Sequence, residues 1–232
     1  MTAAHRLKVC LTPGMVRQFS LYGEQLRRWN RKINLTTITD PKMVALKHFA
    51  DSLAAVPLLP QAASILDVGS GGGFPGLCLK IARPDLKVTL LDAARKRIHF
   101  LKYLISRLGL SEVDAEQLRM EAAALRYPNH FQIIVSRAVT SLVALARAAQ
   151  PCLGQGGMLI AWKGQAYQAE IAALEGDMKA GESAIRLRQC RTISYRLDEL
   201  DLTRYLVLVR DPRGSQEETR QYEGWPEIAP LF

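Results

Sequence analysis

Met15, Phe19, Tyr22, Leu26, Trp29 and Ile33 recur at alternating spacings of four and three residues. That spacing is the buried stripe of an amphipathic helix, and Thr12 ahead of Pro13 supplies its start signal. Arg17, Arg27, Arg28, Arg31 and Lys32 fall off the stripe and give the helix a basic outer face. Asp40-Pro41 then predicts the cap and first residue of a second helix running to about Val56. Pro57 and Pro60 close it and mark a linker. Residues 1–60 are therefore expected to form an N-terminal helical extension.

Beyond the linker the pattern changes. Strand-like apolar runs occur at 64–68, 88–91, 132–135, 158–162 and 205–209, separated by helical patterns. In 95–108, Ile98, Leu101, Ile105 and Leu108 form the apolar stripe, with Arg95, Lys96, Arg97, Lys102 and Arg107 off it. Val113 to Leu118 alternates poorly, with Glu116 and Gln117 inside it, but stands where a further strand is needed. Alternating strands and helices predict an open α/β sheet with helices on both faces over residues 61–211. The stretch 212–232 is polar and proline-containing, and is expected to be a loosely ordered tail.

A length of 232 residues suits one such domain with a small appendage, and 48% hydrophobic residues suffice for a packed core. The net charge of +9 favours polyanionic partners, although a solvated basic surface would give the same total. Cys10, Cys78, Cys152 and Cys190 are scattered without a C-x-x-C pair, which suits neither a zinc site nor a disulfide scaffold. No metal is expected. There is no signal-peptide core, and no apolar run approaches the ~18 residues of a membrane span, so a reducing cytoplasm is the expected compartment.

The richest chemistry lies where Ile65-Leu66-Asp67-Val68 runs into Gly69-Ser70-Gly71-Gly72-Gly73-Phe74-Pro75-Gly76. Gly69, Gly71 and Gly73 remove side chains where the backbone must turn sharply and lie close to a ligand. Pro75 suits the first turn of the following helix. Sixteen residues past Gly76, Asp92 ends the run Val88-Thr89-Leu90-Leu91, placed to accept from ribose hydroxyls. Gly71, Gly73 and Gly76 also match the dinucleotide pattern G-x-G-x-x-G, but its first glycine then falls four residues past Asp67. The alternative register, D-x-G-x-G-x-G, starts at the strand end and carries an acid. That acid repels a pyrophosphate and attracts an ammonium. S-adenosylmethionine offers an ammonium, a ribose and no phosphate, and fits this register better. A glycine turn that merely lets a helix pack against the sheet is the ligand-free alternative.

Seven separated motifs together resemble the RsmG (GidB) family of bacterial 16S rRNA guanine-N7 methyltransferases. They are W-N-x-x-x-N-L-T (Trp29 to Thr36), H-x-x-D-S (His48 to Ser52), D-V-G-S-G-x-G-F-P-G (Asp67 to Gly76), L-L-D with K-R (Leu90 to Arg97), R-x-E (Arg119 to Glu121), S-R-A (Ser136 to Ala138) and K-G (Lys163-Gly164). The resemblance implies a Rossmann-like class I methyltransferase sheet with an N-terminal helical extension. It implies that Gly69 and Phe74 flank the methyl donor, Met120 and Glu121 lie beside its adenine, Asp92 holds its ribose and Arg137 stands near the reactive end. The implied acceptor is a guanine in the 530 loop of 16S rRNA, presented by free RNA, the small ribosomal subunit or an assembly intermediate. The chain departs from the family at Ala94-Arg95, where an asparagine often precedes the K-R pair. Its tail carries Glu217, Glu218, Glu223 and Glu227 in place of a basic ending.

Methyl transfer from a sulfonium is an in-line displacement, so the protein's task is alignment. Guanine N7 carries an in-plane lone pair and needs no general base. Exocyclic-amine methylation goes with an (N/D)-P-P-(Y/F) turn, where this chain has Ser136-Arg137-Ala138. Cytosine C5 methylation needs a cysteine nucleophile, and Cys152, ahead of an expected Gly154–Gly157 turn, is read instead as a small buried residue. Arg137 and Lys163 follow successive strands, at the edge where ligands bind in open sheets. Arg137 is expected to position the donor or the guanine edge, Lys163 to touch a phosphate, and Arg119 to serve either role. Arg28 and Arg31 join them as candidate RNA contacts. His48 and Asp51, three apart on the second helix, are expected to join the extension to the sheet by hydrogen bonds, and Trp29 to lie in the core. The rival functions are a donor-dependent methyltransferase of another RNA or of a small molecule, and, less well matched, a dinucleotide-dependent oxidoreductase.

Overall fold

The Thr12 hydroxyl accepts from the Met15 N–H at 3.3 Å and starts helix α1, Pro13–Asn30. The computed structural model describes residues 9–137, 140–179, 185, 187 and 189–210. The expected tail at 212–232 lies outside the described residues. Phe19, Tyr22 and Leu26 of the α1 stripe are buried, whereas Ile33 lies beyond the helix. Asn30 is the reason: its side-chain oxygen accepts from Leu35 and Thr36 N–H at 2.8 and 3.0 Å, folding the chain back before another turn forms.

Asp40 caps the second helix by accepting from the Met43 N–H at 2.8 Å. This helix, α2, opens as Pro41–Val44, widens into π-helical turns over Ala45–Ala50 and closes at Asp51–Leu53. It ends before the expected Val56, because a separate 3-10 turn, Val56–Leu58, forms around Pro57.

The remaining elements alternate as β1 (Ser64–Val68), α3 (Gly76–Ala82), β2 (Lys87–Asp92), α4 (Arg95–Leu108), β3 (Val113–Gln117), α5 (Met120–Arg126), β4 (Phe131–Arg137), α6 (Leu142–Ala149), β5 (Leu153–Lys163) and α7 (Tyr167–Lys179). A terminal hairpin, β6 (Gln189–Leu197) and β7 (Leu202–Arg210), follows. The seven strands form one sheet in the order β3-β2-β1-β4-β5-β7-β6. Strands β1 to β5 pair in parallel; β7 runs antiparallel to both β5 and β6. Two expectations change here. The Gly154–Gly157 stretch is not a turn but lies within β5, whose pairing with β4 shifts between Phe131 and Ile133. Strand β6 was not foreseen, although Ile193, Tyr195 and Leu197 alternate with polar residues and are buried.

Successive strand residues face opposite layers. Ile65, Ile133 and Trp162 pack with Tyr22, Leu26, Leu77 and Leu101 of α1, α3 and α4. Leu66, Ile134 and Leu159 pack with Leu142, Leu145 and Leu174 of α6 and α7. Cys152 is fully buried in the second layer, and burial pushes its thiol up to about 11. Among the described residues no helix is long and apolar enough to cross a membrane.

Candidate functional site

Parallel pairing brings the carboxyl ends of β1 to β5 to one edge, and the strand order reverses between β1 and β4. Such a switch point opens a crevice at that edge. The Gly69–Gly76 loop occupies it. Gly71 and Gly73 have φ of +55° and +97°, a region costly for other residues. A Cβ on Gly71 would meet only Gly69 O, at 3.8 Å, so this stretch of backbone can be approached closely. Gly76 answers a different demand: a Cβ there would come within 2.7 Å of Asp67 Oδ2.

The Gly76 N–H donates to Asp67 Oδ2 at 2.8 Å, so a strand residue caps α3. Helix α3 therefore begins at Gly76, and Pro75 stands at its N-cap, not within its first turn as expected. Asp67 is wholly buried, and its Oδ1 has no hydrogen-bond partner among the described residues. Burial pushes this carboxyl up to about 7, against the opposing hydrogen bond from Gly76. Asp92 Oδ2 accepts from the Gly71 N–H at 3.0 Å and from Arg97 at 3.2 Å; its Oδ1 accepts from the Ala94 N–H at 2.8 Å. A carboxylate accepts about four such bonds, so Asp92 retains room for a further donor. A buried oxygen lacking a donor, an acid with spare capacity and an approachable glycine backbone fit a ligand carrying an ammonium and a ribose.

Met120 and Glu121 begin α5 at the carboxyl end of β3, beyond β2 from the loop. Met120 is half-buried, while Glu121 and the N-cap residue Arg119 are exposed. The Phe74 side chain is buried, stacked on Tyr22 of α1 at 5.4 Å and on His48 of α2 at 4.5 Å between ring centroids. The Arg137 guanidinium lies over the same ring, 4.9 Å from its centroid.

Arg137 is held by α2 from several sides. Its NH1 donates to Lys47 O at 3.0 Å and to Asp51 Oδ2 at 3.2 Å, and its NH2 donates to His48 Nδ1 at 2.9 Å. Since Nδ1 accepts, His48 is neutral with its proton on Nε2, which lies 2.7 Å from Thr36 Oγ1. Burial, and then the Arg137 charge, lower His48 to about 4. Asp51 Oδ1 accepts from the Tyr195 hydroxyl at 2.5 Å and from Arg204 Nε at 3.2 Å, and its carbonyl accepts from Trp162 Nε1 at 2.8 Å. His48 and Asp51 thus join the extension to β4, β5, β6 and β7, as expected of them. Tyr195, Arg204 and Trp162 belong to no sequence motif; Tyr195 and Arg204 lie on the terminal hairpin.

Lys163 lies on the opposite face of the sheet and is buried. Its ammonium donates to Glu170 Oε2 at 2.6 Å and to Thr140 O at 3.2 Å, and the same Glu170 oxygen accepts from the Leu142 N–H at 2.8 Å. Lys163 pins α7 to the segment after β4 instead of standing free at the surface. Arg28 and Arg31 are exposed near the end of α1, and Trp29 is half-buried against Phe100 and Tyr103 of α4. Among the described residues no group of three or more His, Cys, Asp or Glu side chains could hold a metal ion.

Residues 15–192 match the family model described as rRNA small subunit methyltransferase G. The chain is 42% identical over 167 residues to the ribosomal RNA small subunit methyltransferase G of Geobacter metallireducens, covering 72% of this chain and 76% of that one. It is 33% identical over 236 residues to the protein of the same name from Lactococcus lactis, covering 100% and 97%. Among solved structures, a SAM-dependent methyltransferase from Aquifex aeolicus superposes with a TM-score of 0.53 at 16% identity, covering 82% of this chain and 98% of that one.

Proposed function

The chain belongs to the rRNA small subunit methyltransferase G family, and we propose that it methylates N7 of a guanine in the 530 loop of 16S rRNA. It is an S-adenosylmethionine-dependent rRNA methyltransferase with a Rossmann-like sheet. The observation that carries the donor site is the pair of carboxylates flanking the glycine loop, Asp67 with an unpartnered buried oxygen and Asp92 with spare accepting capacity.

Bound S-adenosylmethionine supplies an electrophilic methyl group on a sulfonium. Asp67 would hold the donor's ammonium and Asp92 would accept from its ribose, while Asp92 keeps the Gly71 backbone in place. Gly69 and Phe74 shape the loop, and Met120 and Glu121, at the next strand tip, border the adenine. Arg137 has its Nε and one NH2 proton outside the bonds to α2, and these would serve the donor or guanine O6. Lys163 ties α7 to the segment after β4 through Glu170 and Thr140 O. Arg119, Arg28 and Arg31 contact RNA phosphates.

Among the described residues the imidazole at this edge is not set up as a general base. His48 has both ring nitrogens engaged, and its proton affinity is depressed. Guanine N7 needs no deprotonation before attack, so a site built for alignment suits it. The test is mass spectrometry of rRNA fragments after incubation of naked 16S rRNA and 30S particles with protein and donor. One added methyl group on a 530-loop guanine, labile as an N7 adduct, is expected. Methylation elsewhere, or of small molecules only, would replace this reading.

A further inference from the structure

The apolar stripe of α1 carries one hydroxyl, that of Tyr22, and it ends on the glycine loop. Fully buried, it donates to Gly72 O at 2.6 Å, 50 residues away in sequence. The Tyr22 ring packs on Phe49 of α2 at 5.0 Å and stacks on Phe74 of the loop, 5° from parallel. A Cβ on Gly73 would stand 2.4 Å from the Tyr22 hydroxyl, and one on Gly72 would stand 3.2 Å from Leu26 Cδ1. One flank of the loop is thus closed by α1, while Gly71 stays open to approach. Burial, and then the nearby Cys78 thiol, push the Tyr22 hydroxyl well above its ordinary pKa, so it keeps its proton and donates.

This bond controls one peptide group. Between Gly72 and Gly73 the carbonyl accepts from Tyr22, and the N–H donates to Ser70 O at 2.7 Å. Turning that peptide over breaks both bonds at once. A run such as Gly71-Gly72-Gly73 has wide backbone freedom and loses more entropy than other residues on being fixed. Asp92 fixes its start through the Gly71 N–H, and Tyr22 fixes its far end from α1. Without the hydroxyl, Gly72 O would be a buried acceptor lacking its donor, a cost that favours another loop shape.

We propose that Tyr22 is a positioning residue for the methyl donor: its hydroxyl holds the Gly72–Gly73 peptide in the donor-binding orientation before the donor arrives. The proposal rests on the reading of the glycine loop as the donor site. A preformed loop spares the donor the cost of ordering it, so the bond appears in donor affinity. Once bound donor has ordered the loop, the chemical step proceeds as before. The helical extension thereby serves the donor through α1, separately from the hold of α2 on Arg137.

The experiment compares wild type, Tyr22→Phe and the control Tyr103→Phe, which removes a hydroxyl bond between α4 and Gln25 of α1 without touching the loop. Calorimetry measures S-adenosylmethionine affinity, and methyl transfer to 16S rRNA is timed at saturating donor. Tyr22→Phe is expected to weaken donor binding about tenfold, the size of one net hydrogen bond. Its rate at saturating donor should stay close to wild type, and Tyr103→Phe should bind donor as wild type does. Hydrogen exchange supplies the second measurement. The Gly73 amide should be protected in donor-free wild type, exposed in Tyr22→Phe, and protected again when donor is added. Donor affinity unchanged in Tyr22→Phe, or equally weakened in Tyr103→Phe, would overturn the role. So would a Gly73 amide that exchanges freely in donor-free wild type, a result that needs no variant to fold. Wild type that protects Gly73 yet binds no S-adenosylmethionine would instead refute the donor site itself, and the role of Tyr22 with it.

Discussion

The Arg137 guanidinium donates to the Asp51 carboxylate at 3.2 Å, and this contact fastens the tip of β4 to the helical extension. Asp51 accepts from Tyr195 and Arg204 as well, so one buried carboxylate gathers α2 and strands β4, β6 and β7. The extension thereby sets the orientation of a side chain at the reacting edge. A helical appendage that only covered the sheet would need no such hub.

Asp51→Asn keeps the shape of that hub and removes its charge, leaving two guanidinium groups without their counter-ion. Breaking a buried pair from one side is strongly destabilising, so a loss of roughly 3 kcal/mol is expected. Urea unfolding measures it. A midpoint equal to wild type would mean that the carboxylate is not what holds the two arginines.

Asp92→Ala should weaken S-adenosylmethionine binding by about 1–3 kcal/mol, through lost ribose bonds and a loosened loop. Gly71 and Ala94 each lose the acceptor of their N–H in this variant. Calorimetric titration gives the number. Donor binding as tight as in wild type would remove Asp92 from the ribose assignment.

The sheet was legible because its parallel strands are short apolar runs with glycine or an acid at their tips, as at Val68-Gly69 and Leu91-Asp92. The donor loop was legible for the same reason: glycines and acids at fixed offsets carry local information. Long-range pairings do not. Nothing near Asp51 in sequence announces Tyr195, Arg204 or Trp162, since these partners meet only when the hairpin closes beside β5. A lysine at a strand tip has the same local signature whatever anion it faces, and only the fold brings Glu170 to Lys163. The π-helical turns of α2 had no signature at all, because the apolar spacing of a short helix does not separate α from π.

Two buried groups should tilt stability in opposite directions with pH. Asp67 is raised from 3.8 to about 7, so between those values the folded protein keeps a proton that the unfolded chain has released. Its contribution falls as pH rises through that window. His48 is lowered from 6.5 to about 4, so there the unfolded chain holds the extra proton and stability rises with pH. Unfolding free energies of wild type, Asp67→Asn and His48→Gln, taken in steps from pH 4 to about 7.5 by urea titration, should separate the two. Wild type minus Asp67→Asn is expected to decrease with pH, and wild type minus His48→Gln to increase. A flat Asp67 difference would show that the carboxylate is ionised throughout.

Arg137→Lys discriminates alignment from charge at the reacting edge. Lysine keeps the positive charge but cannot bridge Lys47 O, Asp51 and His48 Nδ1 with one rigid plane over the Phe74 ring. Asp51 retains Tyr195 and Arg204, so the extension should stay docked and the protein folded. What is lost is the fixed direction of the remaining N–H groups, and in an in-line displacement misdirection appears in the chemical step. Single-turnover methyl transfer to rRNA is expected to slow about 100-fold, equivalent to roughly 3 kcal/mol of barrier. Donor affinity should change much less. If transfer kept the wild-type rate, the positioning role of Arg137 would be refuted, and its bonds to α2 would count as structural alone. If donor binding fell in step with the rate, Arg137 would belong to the donor pocket and not to the alignment of the acceptor.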